Sequence, residues 1–411
     1  MKISIVSFSD LNGGAARAAY RLHKALCVTE MKSQMLVKHK SSDDYTVLSP
    51  TGAKQIYSKF INFVSRSIQK SQITNNPILH SSNFFGSSVF ELVQKSDADL
   101  INLHWINGET ISIRQISKIN KSVVLTLHDM WAFCGTEHYC EDNLNSRFRV
   151  GYSKKNKIDI IAGIDLNRFI WMLKKRYWKS KKFTIVTPSC WLSQCAMDSL
   201  LFKHCEIYTI PNALDIDVFK PVDKNLAKTL LNLPLDKKLI GFGAMGGRDD
   251  PRKGYDLLED ALKELSVNEN YQCIVFGQST PETTPNLGLP VKFIGHLNDD
   301  VTLTLFYNAI DVMVVPSKQE AFGQTASEAQ ACGTPVVAFN TTGLIDVVEH
   351  KVTGYLAEPF NVNDLANGIE WVLLNTNSNK FTQNCRRRAI RLWSYDAVSL
   401  KYKELFEAIK G

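Results

Sequence analysis

The sequence predicts an α/β protein made of two doubly wound units, and three observations support this. Apolar runs of strand length alternate with stretches of helical spacing along the chain, which is typical of parallel sheets covered by helices. The 411 residues are enough for two or three domains. Apolar residues make up 44% and charged residues 22% of the chain, as in an ordinary globular protein. We therefore expect two layered domains, each with its own core.

The first strand, loop and helix occupy the start of the chain. Ile3 to Phe8 is an apolar run, and its length is too short for the core of a signal peptide. Gly13 and Gly14 follow, and Ala15 to Leu26 has helical spacing. A glycine pair at a helix start lets a ligand approach the backbone closely, although the same pair is also a common turn.

Two more predicted strands of the first unit each lead to a histidine. Asp99 to His104 ends on His104, and Ser122 to Leu127 is followed directly by His128. Ligands of open α/β sheets bind at the carboxyl ends of strands, so both histidines are well placed. A lone histidine is more often structural than catalytic, so position alone leaves their roles open.

The second unit opens with a strand and a glycine-rich loop. The glycines at 241, 243 and 246 formally match the dinucleotide-binding fingerprint, which requires the helix to begin inside the glycines. Helical spacing begins here only after Lys253 and Gly254, so we reject a dinucleotide site. Arg248 and Lys253 remain as two cations that flank the loop, and they could equally be solvated loop charges.

The stretch from Pro316 to Phe339 reads as loop, helix and strand. A buried strand is expected at Ala309 to Val315, a helix at Thr325 to Cys332 and the next strand at Val336 to Phe339. Helix N-termini attract anions, so a diphosphate could sit over Phe322 to Thr325.

Two carboxylates bracket that expected anion site. Glu320 precedes it in the loop, and Glu328 follows it on the helix. They could hold hydroxyl groups on the two sides of a diphosphate. The competing interpretation is a capping box, Thr325-x-x-Glu328, in which Glu328 only bonds back to the helix start.

Taken together, these motifs resemble the E-x7-E signature of the retaining GT-B glycosyltransferases (GT4-like), the large family that includes sucrose synthase. The T-L-H-D-M-W-A-F run at 126–133 is similar to a subgroup that builds bacterial exopolysaccharide and O-antigen. The resemblance implies two doubly wound domains facing across a cleft, with the donor on the second and the acceptor on the first.

The resemblance also implies roles for individual residues. His128 would lie beside the donor sugar, Glu320 would hold its hydroxyls, and Arg248 and Lys253 would neutralise the diphosphate. Gly13, Gly14 and His104 would belong to the cleft and the acceptor side. The remaining nucleotide-binding positions would be Leu297, Ala321, Phe322, Gly323, Gln324 and Glu328.

The P-N-A-L-D-I-D-V-F-K-P run at 211–221 resembles the interdomain linker of the same family, with Ala213 in place of the usual glycine. We therefore expect an acceptor-side domain at 1–214 and a donor domain at 215–390. The helix at 391–411 is expected to pack back on the first domain.

The net charge of +7 comes from one segment, because residues 147–182 carry twelve Lys or Arg and two Asp, a net +10. Within it, residues 168–182 interleave basic and aromatic side chains. Three interpretations compete: a helix face packed on its own domain, docking on an anionic membrane, and a nucleic-acid patch. We set the last aside because no nucleic-acid reader motif accompanies it.

The nine cysteines show no paired spacing, which favours reduced thiols over a disulfide framework. Cys134, His138 and Cys140 lie close together in sequence, but three such residues without a fourth partner make a poor zinc site. We expect no metal and no cofactor besides the nucleotide-sugar, of UDP or GDP type.

The resemblance thus implies transfer of a sugar, with retention, from a nucleoside diphosphate to a lipid-linked glycan in bacterial surface polysaccharide synthesis. The alternatives are a transferase for a small-molecule acceptor, a GT-B glycan phosphorylase, and a non-catalytic glycan-binding module. We expect a cytoplasmic protein, attached to the inner face of the membrane if residues 168–182 dock there.

Overall fold

A computed structural model describes residues 1–29, 31–51, 53–157, 160–243, 250–265, 270–281, 287–376 and 379–410, with the side chains of 53–59 excepted. The chain divides into two compact units. The first contains Met1–Pro211 and Val398–Gly411, and the second contains Asn212–Ala397. The chain from Val398 onward, which holds most of the C-terminal helix, is therefore part of the first unit.

The sheet of the first unit has seven parallel strands among the described residues. Their order across the sheet is β3-β2-β1-β5-β6-β8-β9. From β1 to β3 the strands are added towards one side of the sheet and from β5 to β9 towards the other, so the strand order reverses between β1 and β5. The strands are β1 Lys2–Ser9, β2 Lys32–His39, β3 Val47–Leu48, β5 Leu100–Leu103, β6 Ser122–Thr126, β8 Phe183–Thr187 and β9 Glu206–Thr209. A separate antiparallel ribbon pairs β4 Gln72–Thr74 with β7 Ile160–Gly163.

The sheet of the second unit has six parallel strands in the part of the chain that is described. Their order is β12-β11-β10-β13-β14-β15, with the reversal between β10 and β13. The strands are β10 Lys238–Gly243, β11 Tyr271–Phe276, β12 Val291–Phe293, β13 Val312–Val315, β14 Val336–Phe339 and β15 Gly354–Ala357.

Helices connect the parallel strands in both units, as such connections require. Those of the first unit are α1 Gly14–Cys27, α2 Ala53–Gln69, α3 Val89–Lys95, α4 Ile113–Ser117, α5 Arg147–Val150, α6 Leu166–Trp178 and α7 Cys190–Asp198. Those of the second unit are α8 Lys224–Leu230, α9 Tyr255–Glu264, α10 Asp300–Ala309, α11 Gln324–Ala331, α12 Leu344–Val347, α13 Val362–Asn375 and α14 Lys380–Trp393. The last helix is α15 Tyr395–Lys410.

The second sheet is buried on both faces, which explains its uninterrupted apolar strands. Side chains of a strand alternate between faces, and β13 follows this rule. Met313 and Val315 join one core cluster, while Val312 and Val314 join the other. Trp393 of α14 is 1% exposed and closes the first of these clusters.

The predicted fold class is confirmed: both units are doubly wound parallel α/β sheets. One predicted strand is shorter than expected, because Ala309 ends α10 and the strand begins only at Val312. Asp311 separates the two elements, and its carboxylate accepts hydrogen bonds from the backbone of Leu239 and the amine of Lys224. Among the described residues, every helix is too short or too polar to cross a membrane.

Candidate active site

Two of the predicted donor residues, Lys253 and Glu320, lie where the strand order of the second sheet reverses. The loop after β13 leads to α11, and a short 3-10 turn at Pro251–Lys253 precedes α9. β10 and β13 are hydrogen-bonded neighbours. Ligands of open α/β sheets bind at the carboxyl ends of strands at such a reversal. Arg248, the other predicted cation, lies outside the described residues.

The turn that carries Lys253 is fixed against the loop after β13. Gly254 has a left-handed backbone with φ 65° and ψ 32°, a conformation that glycine adopts without strain. A Cβ atom on Gly254 would lie 2.0 Å from the carbonyl oxygen of Pro316. The amide of Lys318 also donates to the carbonyl of Arg252 at 2.7 Å. Gly254 thus allows the close contact between the two loops.

Lys253 and Glu320 form an ion pair between these loops. The hydroxyl of Ser317 donates to the same carboxylate oxygen of Glu320 at 3.1 Å. Burial raises the pKa of Glu320, but the nearby charges of Lys253 and Arg252 outweigh it and the pKa is lowered overall. Glu320 is therefore held ionised, and its positive partner lies beside it.

The backbone of Glu320 is held as firmly as its side chain. Its amide donates to the hydroxyl of Thr342 at 3.1 Å, and its carbonyl accepts from the amide of Gly343 at 2.9 Å. A Cβ atom on Gly343 would lie 2.5 Å from the carbonyl oxygen of Ala321. Two hydrogen bonds and a close backbone approach therefore connect Glu320 to the loop that follows β14.

Helix α11 begins next to Glu320. Its N-cap is Gly323, with φ 95° and ψ 65°, and Gln324 is its first residue. A Cβ atom on Gly323 would lie 2.7 Å from the side chain of Leu344. Ala321 and Phe322, which precede the cap, are buried. The partial positive charge of this helix start therefore lies beside the Lys253–Glu320 pair.

Glu328 lies on α11 and is 4% exposed. The hydroxyl of Tyr307, on α10, donates to its carboxylate at 2.7 Å. The capping-box interpretation is wrong, because the N-cap is Gly323 and makes no side-chain cap hydrogen bond. Thr325 is the second residue of the helix and not its cap.

Leu297 follows β12, the edge strand of the same sheet. Its side chain is partly buried and packs against the core cluster that contains Phe322. Gly295, two residues earlier, has φ 75°, and no heavy atom of the described part of the chain lies within 4 Å of the position its Cβ would take. The backbone near Leu297 is thus open to a ligand on that side.

In the first unit, Gly13 and Gly14 follow β1 at its carboxyl end. Gly13 is the N-cap of α1 with φ 93°, and Gly14 is the first residue of the helix. Among the described residues, no heavy atom lies within 4 Å of the position that a Cβ atom on Gly13 would take.

His104 and His128 follow the neighbouring strands β5 and β6, and the structure brings them together. Nδ1 of His104 lies 2.9 Å from Nε2 of His128, and the rings are stacked with centroids 5.2 Å apart. Burial lowers the pKa of His128 to about 4 and that of His104 well below its usual range. Both imidazoles are therefore neutral near pH 7.

Asp129 organises the loop that follows His128. Its carboxylate accepts from Trp105 Nε1 at 2.9 Å, from the amide of Trp131 at 2.9 Å and from Nδ1 of His138 at 2.6 Å. His138 also bonds to the hydroxyl of Ser81 at 2.8 Å. His138 is thus engaged in a hydrogen-bonded network, while Cys134 and Cys140 lie 3.6 Å apart.

The described residues contain no cluster of three or more His, Cys, Asp or Glu able to hold a metal ion.

Several residues of the site were not predicted. Arg252, Ser317, Tyr307 and Thr342 contact or influence the two glutamates from elsewhere in the second unit. Only Arg252 carried a signal in the sequence, as a further cation beside Lys253. Tyr307 and Thr342 are ordinary polar residues whose partners are remote along the chain, and Ser317 is a serine three residues before Glu320.

The basic and aromatic segment at 168–182 divides between a packed face and an exposed one. Trp171, Lys174 and Trp178 of α6 are buried. The Lys174 amine donates to the carbonyls of Trp131, Cys134 and Gly135, the last two at 3.1 and 2.8 Å. The segment as a whole is therefore not a surface patch, and part of its positive charge belongs to the interior.

Comparison with known proteins identifies the second unit. Residues 231–391 match the family model described as glycosyl transferases group 1. Over 172 residues the chain is 35% identical to D-inositol 3-phosphate glycosyltransferase of Mycobacterium tuberculosis, a match that covers 39% of this chain and 34% of that protein. The chain matches only 34% to 58% of the length of these curated relatives.

Solved structures match the whole fold. Sucrose-phosphate synthase of Thermosynechococcus elongatus aligns with a TM-score of 0.68 and 20% identity over 99% of this chain and 98% of that one. Anabaena Alr3699/HepE in complex with UDP-glucose aligns with a TM-score of 0.65 and 17% identity over 99% and 100%. At this identity the likeness establishes the fold, which is the GT-B fold. Residues 231–391, which lie within the second unit, thus match the glycosyl transferases group 1 family, and the chain is similar in fold to GT-B glycosyltransferases.

Proposed function

We propose that this chain transfers a sugar from a nucleoside diphosphate to a glycan acceptor, with retention of the anomeric configuration. The observation that carries the proposal is the Lys253–Glu320 pair beside the N-terminus of α11. A cation and a helix start together suit a diphosphate, while an ionised carboxylate next to them suits sugar hydroxyls.

Each predicted site residue has a role in this proposal. Lys253 and Arg248 neutralise the charge that develops on the leaving diphosphate, which lowers the barrier to transfer. Glu320 binds hydroxyls of the donor sugar, Glu328 binds those of the ribose, and the backbone at Ala321–Gln324 and Leu297 contacts the nucleotide. His128 contacts the transferred sugar, and Gly13, Gly14 and His104 belong to the acceptor side.

The donor is a UDP-sugar or a GDP-sugar. Support for UDP comes from the Anabaena protein of the same fold, whose structure contains UDP-glucose. Two cations at the diphosphate do the work that a metal ion does in other transferases, so the proposed reaction uses no metal. Transfer rates that stay unchanged in a metal chelator are the expected result.

Thermal stability with single nucleotides tests the donor site. The purified protein is melted with UDP, GDP, ADP, CDP or inorganic phosphate, and a ligand at 100 times its dissociation constant stabilises by about 2.7 kcal/mol. We expect one diphosphate to raise the melting temperature of the wild type and to have no effect on Lys253→Ala. Lys263→Ala, which removes an exposed lysine of α9 paired with Asp260, is the matched control and keeps the shift.

A rise in melting temperature with phosphate alone would instead support a glycan phosphorylase. No rise with any of the five compounds would contradict both the transferase and the phosphorylase, and would favour a glycan-binding module. Retention is then tested by NMR of the anomeric proton of the product, where inversion would contradict the proposed mechanism.

For the acceptor, we propose a lipid-linked glycan of surface polysaccharide synthesis at the inner face of the cytoplasmic membrane. The T-L-H-D-M-W-A-F resemblance supports this, and so does an exposed surface of the first unit. Phe60 and Phe63 of α2 are 62% and 69% exposed, and Phe169 and Met172 of α6 are 49% and 47% exposed.

This apolar-basic surface lies on adjoining elements. β4 follows α2 closely and pairs with β7, which leads into α6, and the strands expose Ile73 and Ile161. Residues 53–74 and 166–182 contain no Asp or Glu. Exposed apolar side chains with basic neighbours suit an anionic membrane, where each Lys or Arg contributes about 1 kcal/mol.

Co-sedimentation with vesicles of phosphatidylcholine and phosphatidylserine tests the membrane part. The variant reverses Lys175, Arg176 and Lys179, which are exposed, and leaves the buried Lys174 intact. The matched control reverses the exposed lysines Lys203, Lys380 and Lys401. We expect the first variant to lose vesicle binding and the control to keep it; equal binding by all three proteins would contradict the proposal.

A transferase for a small-molecule acceptor is the second candidate. The mycobacterial relative that is 35% identical carries the name of an enzyme for inositol 3-phosphate, and that match supports this candidate. The two candidate functions differ in whether vesicles are needed. A transferase for a small-molecule acceptor reaches full activity without vesicles, and one for a lipid-linked glycan does not.

A further inference from the structure

The His104–His128 contact raises the question of which nitrogen carries the proton. Nδ1 of His104 and Nε2 of His128 are 2.9 Å apart, so one of them must donate and the other accept. Neutral imidazole has one N–H and one bare nitrogen. The choice at this contact therefore also fixes the outer nitrogens, Nε2 of His104 and Nδ1 of His128.

The surroundings of His104 distinguish the two arrangements. His104 is 6% exposed, and its Nε2 is buried without a hydrogen-bond partner among the described residues. If His128 donated, that Nε2 would carry a buried proton with no acceptor. If His104 donates from Nδ1, its Nε2 is a bare acceptor. Buried N–H groups without a partner are rarer in folded proteins than buried acceptors without one, so the second arrangement is favoured.

The cavity beside His104 favours the same arrangement. Asn107 lines this cavity together with His104, and its Nδ2 is a buried donor without a partner in the described part of the chain. Trp178, also on the cavity wall, already donates its Nε1 to the carbonyl of Ile113 at 3.0 Å. The N–H group of Asn107 on the cavity wall lacks an acceptor among the described residues. A bare nitrogen on His104 therefore suits this wall better than a second N–H group would.

We propose that His104 is a positioning residue that donates from Nδ1 to His128 and thereby keeps the proton of His128 on Nδ1. The backbone holds His104 in place, since its amide donates to the carbonyl of Val6 at 2.9 Å. Resting on the proposed function, the consequence is that His128 meets the sugar as a hydrogen-bond donor and not as a general base.

The proton position is measurable without substrate. Nitrogen-15 NMR of the histidine-labelled protein distinguishes the two neutral tautomers, and the spectrum of His128→Gln assigns the signals of His128 among the nine histidines. We expect the proton on Nδ1 in the wild type. Finding it on Nε2 would overturn the proposal.

Two substitutions of His104 separate positioning from packing. His104→Asn keeps a donor near the place of Nδ1, so we expect the tautomer of His128 to be retained. His104→Leu removes the donor, so both tautomers of His128 should appear and kcat should fall about tenfold, the effect of one neutral hydrogen bond. A His128 tautomer unchanged in His104→Leu would overturn the proposal.

The control is His23→Leu, which removes another buried histidine of the first unit, bonded to Ser33 and Thr46. It should lower stability without changing the signals of His128. If the tautomer is as expected but no nucleotide-sugar is consumed, the proposed function fails while the assignment of His104 stands, so the two failures are distinguishable.

Discussion

In each sheet, predicted site residues lie along the edge formed by the carboxyl ends of the strands, and these two edges differ in charge. At the edge of the second unit, Lys253 and Glu320 are both charged and lie beside the start of α11. At the edge of the first unit, His104 and His128 are neutral and bond to each other. The same doubly wound arrangement thus supports one edge suited to an anion and another suited to a group that exchanges hydrogen bonds without charge.

The difference also shows how each edge is held. Glycines at 254, 323 and 343 allow backbone segments to come close together around Glu320. In the first unit, the Asp129 carboxylate and the Lys174 amine bind the loop that follows β6 through hydrogen bonds. Close backbone packing therefore shapes one edge, and buried polar side chains shape the other.

The largest effect is expected from Lys253→Ala, which removes the cation of the second edge. Loss of one fixed group that stabilises developing charge lowers kcat about 10² to 10³-fold. Transfer rates with the donor identified by thermal stability measure this, and Lys263→Ala should be unchanged. A loss below fivefold would show that charge at this edge is not used in the reaction.

Next in size is Lys174→Ala in the first unit. The substitution leaves the carbonyls of Trp131, Cys134 and Gly135 buried without their donor, and each such group costs about 1–3 kcal/mol. We expect a loss of about 3 kcal/mol in urea unfolding followed by tryptophan fluorescence. Lys175→Ala, one residue on and exposed, should change stability by less than about 0.5 kcal/mol. Equal effects would mean that the Lys174 amine does not hold this loop.

Gly254→Ala tests the backbone packing of the second edge. Its φ of 65° and the 2.0 Å approach of its Cβ position to the Pro316 carbonyl both oppose a side chain, so we expect a loss of about 2 kcal/mol or more. Gly295→Ala shares a positive φ of 75° but has open space at its Cβ, so strain alone should cost about 1 kcal/mol. Equal losses in thermal unfolding would contradict the contact between the loops.

The smallest effect concerns pH and Glu320. Its folded pKa is lowered from 4.5, so the unfolded chain takes up this proton at a higher pH than the folded protein does. The ionised carboxylate therefore stabilises the fold fully above about pH 4.5, and this contribution is lost as pH falls through the folded pKa. Relative to Glu320→Gln, the wild type should lose its advantage in stability as the pH falls below about 4.5. An advantage that stays constant with pH would contradict the ion pair with Lys253.

Sequence reasoning reached most of the fold because strand and helix spacing are local properties. The alternation of β13 between two cores is readable from its apolar run. Sequence reasoning overestimated the length of β13, because an apolar residue such as Ala309 suits the end of a buried helix as well. For residues 168–182 it left open whether the segment packs on its own domain or docks on a membrane, because a helix has two faces and only the neighbouring elements decide which of them is covered.

The sequence by itself determined the two doubly wound units, the placement of Glu320, Glu328 and Lys253 in loops and helix starts, and the histidines at strand ends. These follow from periodicity, glycine positions and the spacing of charged residues along the chain. Only the tertiary structure decided that Lys253 pairs with Glu320, that Tyr307 bonds to Glu328 and that His104 bonds to His128. The physical reason is that these partners are 67, 21 and 24 residues apart, and a side chain finds a distant partner only when sheet order and helix packing bring the two together.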